Sequence, residues 1–309
     1  HVIWEEMDSE GWDGPFAIHY AWANVSDLNE PWNRAFGTTQ TKINGAVPAY
    51  PSWARASITN TGAGGIVHVV FEGLDRRLYH TWAYENSGGE FSAPEMFGNT
   101  PAEWGDIESE LDPDGNLHVG YPIQRIMTDP ETGQVVTEEY GVEYTMLPAG
   151  STSWTEPVTV EPLTEQGDGF TTTAVFDSRN IYIAKHNYSD IKIFRSTNGG
   201  SSWSETLLFS APDESIRPTR HLSLAVNANR DLILANGYHS YEFNGTYWEW
   251  IGEDTMIFRS KDGGKKWADV SIVENVTSPS VQFDADGNAG IVFKGTNDLS
   301  YTIQFTKEQ

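Results

Sequence analysis

The sequence predicts an all-β fold of six repeated antiparallel sheets, and three observations carry that expectation. A two-strand phrase recurs along the chain, tight-turn signals separate its copies, and no segment of useful length has helical periodicity. The phrase opens as His1-Val-Ile-Trp-Glu5 with Ile18 to Trp22, and returns in register as His68-Val-Val-Phe-Glu72 with Leu78 to Trp82. Later copies are Leu117 to Tyr121 with Val142 to Met146, Ile181 to Ala184 with Ile191 to Arg195, and Leu232 to Ala235 with Met256 to Arg259. The last pairs Gly290 to Phe293 with Leu299 to Phe305. Turns such as Asp112-Pro-Asp-Gly-Asn116, Asn227-Ala-Asn-Arg-Asp231 and Asp284-Ala-Asp-Gly-Asn288 lead into the phrase from an alternating strand such as Leu222 to Val226. Each repeat therefore reads as four strands. Four-stranded antiparallel blades set round a central axis make a β-propeller, which leaves only short, protected edges. Six blades fit the repeats, and an alignment that miscounts one gives five or seven.

Residues 1–309 are expected to form one domain, since all-β repeats of this length share a single wheel. The first repeat lacks its first strand and the last lacks its fourth. Either the closure is unusual, or both ends are trimmed, or a neighbouring chain supplies the missing strands, which would make self-association through the terminal blades a natural outcome.

A second repeat overlaps the first. Ser196-Thr-Asn-Gly-Gly-Ser-Ser-Trp203 and Ser260-Lys-Asp-Gly-Gly-Lys-Lys-Trp267 share the pattern Ser, x, Asp or Asn, x, Gly, x, x, Trp, and each follows Ile-Phe-Arg. A short acceptor side chain there bonds turn amides, glycine takes positive φ, and the indole pins the hairpin to its neighbour. These motifs resemble the Asp-box, or BNR repeat, of sialidase-like β-propellers. The resemblance implies architecture first, with the boxes as structural punctuation, and function only by association.

Composition narrows the partners. Aromatic residues make up 13% of the chain, enough apolar surface to fill the gaps between packed sheets. A formal net charge of −25 argues against nucleic acid or an anionic membrane surface, and suits glycans or cations better. No apolar run is long enough to span a bilayer, and no leader peptide is evident. Cysteine is absent, so the redox compartment is not legible from it. Asn-x-Ser/Thr sequons at Asn24, Asn187, Asn244 and Asn275, together with the Asp-box resemblance, point to a glycosylated, secreted or cell-surface protein.

Chemistry is expected at one mouth of the wheel, where second strands end and first strands begin. The second-strand ends place Glu5, Glu72, Tyr121, Lys185, His186, Tyr238, His239 and Lys294 there, and the first-strand starts add Trp53, Arg55, Trp104, Asp106, Glu108, Arg217, Arg220 and His221. Long loops at 6 to 15, 122 to 141 and 237 to 254 rim the same mouth, and the third carries Tyr247-Trp248-Glu249-Trp250, a cluster of the kind that stacks on sugar rings. Substrate contacts are expected from Arg55, Arg217, Lys185, Lys294, Trp248 and Trp250.

For a sialidase-like hydrolase the resemblance implies arginines for a carboxylate, a Tyr with a neighbouring Glu as nucleophile, and an acidic acid/base. Arg55, Arg217, Arg220, Tyr238 and Glu72 supply parts of this set, while the Phe-Arg-Ile-Pro motif of bacterial sialidases is missing and Ile216-Arg-Pro-Thr-Arg220 is a faint echo. The chain also resembles ulvan-lyase-like propellers, in which Tyr and His serve as acid and base and Arg or His neutralises a uronate. Tyr238, His239, His186, His221 and Arg220 would fill those roles. His19, His80 and His118 are expected instead to hydrogen-bond between blades. No cofactor is expected, with calcium in an acidic turn such as Asp284 to Asn288 as the variant reading. A non-catalytic surface, filament or adhesion module that binds glycans or itself is the alternative function.

Overall fold

The structure, a computed structural model, describes residues 2–7, 16–21, 41–42, 56–60, 65–85, 90–99, 107–165, 169–268, 270–284, 286–295 and 301–305. All regular elements among them are strands, in six separate antiparallel sheets whose spatial order follows chain order. The first holds β1 (Val2–Met7), β2 (Phe16–Ala21) and β3 (Thr41–Lys42), and the second β4 (Ala56–Asn60), β5 (Ile66–Glu72), β6 (Leu78–Tyr84) and β7 (Glu95–Phe97). In the third are β8 (Glu108–Leu111), β9 (Leu117–Thr128), β10 (Val135–Leu147) and β11 (Val158–Thr164). The fourth comprises β12 (Phe170–Val175), β13 (Ile181–Asn187), β14 (Asp190–Ser196) and β15 (Ser204–Ser210). β16 (Ile216–Val226), β17 (Leu232–Phe243), β18 (Trp248–Ser260) and β19 (Ser271–Val273) make the fifth, and β20 (Val276–Phe283), β21 (Ala289–Gly295) and β22 (Tyr301–Phe305) the sixth.

Successive sheets pack face to face, because their second strands are apolar on both sides. Along β17, Leu232, Leu234 and Tyr238 enter the gap toward the fourth sheet, while Ile233 and Ala235 enter the gap toward the sixth. Each of the five gaps between sequential sheets is filled by its own hydrophobic cluster. First strands lie beside one another in sequence, β4 against β8, β8 against β12, β12 against β16 and β16 against β20. First strands thus meet first strands at each of these gaps.

The two Ser-x-Asx-x-Gly-x-x-Trp stretches adopt the same turn. Ser196 Oγ accepts from the Gly200 amide at 2.9 Å and Ser260 Oγ from the Gly264 amide at 3.0 Å. Asn198 Oδ1 and Asp262 Oδ1 cap further amides of their turns. Gly200 and Gly264 have φ of +82° and +80°. A tyrosine from the preceding sheet covers each turn: Tyr144 lies where a Cβ on Gly200 would be 2.2 Å from its ring, and Tyr182 lies over Gly263 and Gly264.

Two expectations change here. Residues 122 to 141 and 237 to 254 are not loops but extended hairpins, in which β9 and β10 pair as far as Thr128 and Val135, and β17 and β18 as far as Phe243 and Trp248. Only the short turns between them leave the ladder. β-Branched and aromatic residues alternating over these stretches favour a continued ladder, and the Asp129-to-Gly133 and Asn244-Gly245 signals close it tightly. The 6 to 15 segment lies outside the described residues beyond β1.

Close approach of sheets constrains particular positions. A Cβ on Gly120 of β9 would sit 2.7 Å from Ile183 Cδ1 and 2.8 Å from Thr173 Oγ1 of the fourth sheet. Replacing Gly120 with Ala is expected to destabilise the fold by about 1–3 kcal/mol through overpacking, read as a lower denaturant midpoint with an unchanged m-value.

Candidate functional site

The β17–β18 hairpin gathers more of the expected site residues than any other described element. Tyr241 pairs with Trp250 and Phe243 with Trp248 across the ladder, so two cross-strand pairs two residues apart place four aromatic rings on one face. Phe243 and Trp248 lie with centroids 5.4 Å apart. Exposure is high for so apolar a surface, at 53% for Phe243 and 54% for Trp250. Extended pairing, rather than a flexible loop, holds these rings in place.

Polar groups stand at the base of that face. His239 Nε2 lies 2.8 Å from Glu253 Oε1, its cross-strand partner, and Tyr241 Oη is 3.4 Å from His239 Nδ1. Arg217 of β16 sits opposite His239 in the ladder, places its guanidinium 5.3 Å from the Tyr241 ring centroid, and pairs with Glu214 at 3.3 Å. One strip therefore carries Arg217, His239, Tyr241, Trp248 and Trp250. Tyr241 and Glu253 were missed in the sequence, although their period-2 spacing from His239 would have found Tyr241 once 237 to 254 was read as strand.

Tyr238 and His239 do not form an acid/base couple, because neighbours in a strand point to opposite faces. Tyr238 turns into the gap toward the fourth sheet, where it packs with Ala184 and Ile191 and bonds Asp254. Burial, with the Asp254 charge, pushes its hydroxyl up to about 12. His186 enters the same gap from β13, wholly buried, stacked on Phe170 at 4.9 Å, with both ring nitrogens lacking a hydrogen-bond partner. Burial and the nearby His221 and Lys185 charges push its pKa down to about 3, which keeps the ring neutral. Arg220 and His221 belong to a bulge between Pro218 and Leu222 of β16, and Asn236 Nδ2 donates to the Thr219 and His221 carbonyls across it. His221 is exposed.

Other expected residues are committed to structural pairs. Lys185 is buried and pairs with Glu161 of the third sheet, which also takes Lys192 at 2.9 Å. Burial opposes the Lys192 charge, but its bonds to Glu161 and Glu205 outweigh that and raise its pKa. Glu72 is buried against Arg76 at 2.8 Å. Tyr121 donates to Glu143 at 2.8 Å, and Asn99 Nδ2 donates to the same Glu143 oxygen at 2.8 Å. Lys294 is exposed on the face of β21 away from Ile291 and Phe293. Glu5 lies in β1, while Arg55, Trp53, Trp104, Asp106 and Asn24 are outside the described residues. Of the sequons, Asn244 and Asn275 are exposed, whereas Asn187 is buried, its Oδ1 accepting from the Asp190 amide at 2.7 Å. The expectation of histidine bonds between blades changes: His118 bridges Asp112 and Tyr144 of its own sheet, and His80 lies 3.0 Å from His68 of its own sheet, because neighbouring strands of one sheet bring these side chains together on the same face.

No group of three or more candidate metal ligands occurs among the described residues. In the Asp284 turn the carboxylate accepts from the Asp286 and Asn288 amides and from Asn288 Nδ2, so the turn itself occupies its oxygens. No helix among the described residues is long and apolar enough to cross a membrane.

No family model matches the chain, and no curated protein matches it in sequence. Among solved structures it is similar to the K499G mutant of NanB sialidase from Streptococcus pneumoniae, at 9% identity and a TM-score of 0.52, over 92% of this chain and 63% of that one. The chain thus spans less than two thirds of the sialidase's length. A protein of unknown function from Dyadobacter fermentans matches at 13% identity and a TM-score of 0.50, over 82% of each chain. A polysaccharide lyase, Uly1, matches at 10% identity and a TM-score of 0.45 over 99% of this chain and 90% of that one. At these identities the sialidase likeness establishes a shared all-β fold of propeller type, and nothing finer.

Glu108, at the start of β8, accepts from Thr172 of the next sheet, and burial raises its carboxyl to about 7. A carboxyl that holds its proton more tightly folded than unfolded makes stability fall as pH rises from about 4.5 to 7. Glu108→Gln is expected to flatten that decline and to stabilise the chain above pH 7 by on the order of 1–3 kcal/mol, measured as thermal midpoints across pH.

Proposed function

We propose that residues 1–309 form a single propeller wheel of six blades with Asp-box turns, working outside the cell or at its surface as a carbohydrate-recognising protein. The observation that carries this reading is the aromatic face of the β17–β18 hairpin, with Tyr241, Phe243, Trp248 and Trp250 above Arg217 and the His239–Glu253 pair. Flat rings stack on the apolar faces of sugars, and a rigid ladder limits the conformational entropy lost on binding. Exposed sequons at Asn244 and Asn275 support an extracellular setting. The Arg217 guanidinium offers a local cation within an acidic surface, which suits a glycan bearing a carboxylate.

Trp250→Ala is expected to weaken binding to a uronate-containing polysaccharide about two- to tenfold, by isothermal titration, because loss of one stacked ring removes about 0.5–1.5 kcal/mol. Unchanged affinity would sink the assignment of the site to this hairpin.

Catalytic cleavage is the second reading, favoured by the convergence of Tyr241, His239 and Arg217. In a β-elimination, Arg217 would neutralise the uronate carboxylate while His239 or Tyr241 accepts the proton on the carbon beside it. The electrons left behind form the carbon–carbon double bond, the glycosidic carbon–oxygen bond breaks, and the departing oxygen takes a proton from the other of the two side chains. Tyr241→Phe and His239→Gln should each lower turnover at least a hundredfold without altering the thermal midpoint, followed by the ultraviolet absorbance of the unsaturated product. Binding with no turnover in the parent chain would leave a glycan-binding module. Self-association through the three-stranded first and last sheets is proposed as compatible with either outcome.

A further inference from the structure

A cavity lies between the second and third sheets, at the end where β5 and β9 begin and β6 and β10 finish, away from the hairpin tips. Its volume is about 520 Å³, within the range of small-molecule sites. Trp82, Tyr84 and Trp154 supply aromatic walls, and no lysine or arginine lines it among the described residues. Trp154 is held by stacking on Phe97 at 3.9 Å, and Trp82 meets Tyr84 edge to face at 5.4 Å. This wall is therefore built by packing within and between sheets, and Tyr84 remains exposed.

The polar part of the lining is a pair of histidines. His68 Nδ1 and His80 Nε2 are 3.0 Å apart and share one proton. Burial pushes the first down to about 4, and burial with the neighbouring His68 charge pushes the second to about 3, so both rings are neutral at ordinary pH. Among the described residues, neither outer nitrogen, His68 Nε2 or His80 Nδ1, has a hydrogen-bond partner, and both residues line the cavity. Tautomer logic then decides what they offer. If His68 donates to His80, its Nε2 is an acceptor and His80 Nδ1 is a donor; if His80 donates, the two roles exchange. Either way the pair presents one donor and one acceptor.

We propose that this cavity is a second binding site, separate from the hairpin face, taking a neutral sugar ring. The sugar lies against Trp82 and Tyr84 and exchanges one donated and one accepted hydrogen bond with the His68–His80 pair. Hydroxyl groups both donate and accept, so they match that pair in either tautomer state, while the apolar face of a pyranose matches the rings. Anions are disfavoured by the exposed Glu95 carboxylate at the rim and by the lack of a lining cation. The inference stands without the hairpin reading, since it uses none of its residues.

The test is titration of the full chain with a panel of neutral monosaccharides and disaccharides, read by tryptophan fluorescence and calorimetry, beside three variants. A dissociation constant in the millimolar range is expected for at least one sugar, rising tenfold or more in Tyr84→Ala and in His80→Phe. Tyr84 is exposed, so its variant keeps the test alive if His80→Phe does not fold. Absence of binding by every neutral sugar at tens of millimolar would overturn the proposal. So would binding that only Trp250→Ala removes, or tighter binding of tetramethylammonium than of any sugar.

Discussion

Contact between a tyrosine of one sheet and the glycine turn of the next is the constraint on which the rest of the architecture depends. Sheets that must pack face to face need their turns to be flat where the neighbour's rings arrive. At Gly200 and Gly264, positive φ and the missing side chain make that flatness available. Tyr144 and Tyr182 then seal the two gaps, and the Asp112–His118–Tyr144 chain fixes one of the rings from behind. Thus a local turn motif sets the spacing between sheets, and that spacing sets which residues can meet.

Polar groups buried in the gaps obey the same geometry. Lys185 is tolerable in a buried position because Glu161 of the neighbouring sheet reaches it, and Glu143 because Tyr121 and Asn99 satisfy it. These pairs tie adjacent sheets together at the end where chemistry was expected. They also remove several attractive candidates from catalysis, since a charge already matched by a buried partner is not free to act on a ligand. His186 is different: it is enclosed and neutral, and its polar atoms are unmatched.

Among the described residues, two distinct surfaces combine exposed rings with polar groups. The hairpin face offers stacked rings with an arginine and a histidine–glutamate pair, and the cavity between the second and third sheets offers rings with two neutral histidines. Both combine aromatic planes with a few directional hydrogen-bonding groups. They differ in charge, with a guanidinium on one and a carboxylate at the rim of the other.

The repeated strand phrase, the turn signals and the Ser-x-Asx-x-Gly-x-x-Trp stretches made the all-β repeat architecture legible, since each is written in short-range spacing that local sterics and hydrogen bonding obey. The aromatic Tyr247-to-Trp250 run was legible for the same reason. Hairpin length was not, because a ladder and a loop of similar composition differ only in whether opposite strands pair. Tyr238 and His239 looked like one couple in the chain and were separated by the pleat, while Tyr241 joined His239 along its own strand and Glu253 and Arg217 joined it through cross-strand register. Sequence determines which side chains share a strand face. Only the packing of one sheet on the next decides which of them find partners and which are left for a ligand, because partners such as Glu161 for Lys185, or Trp154 for His80, come from segments of different sheets.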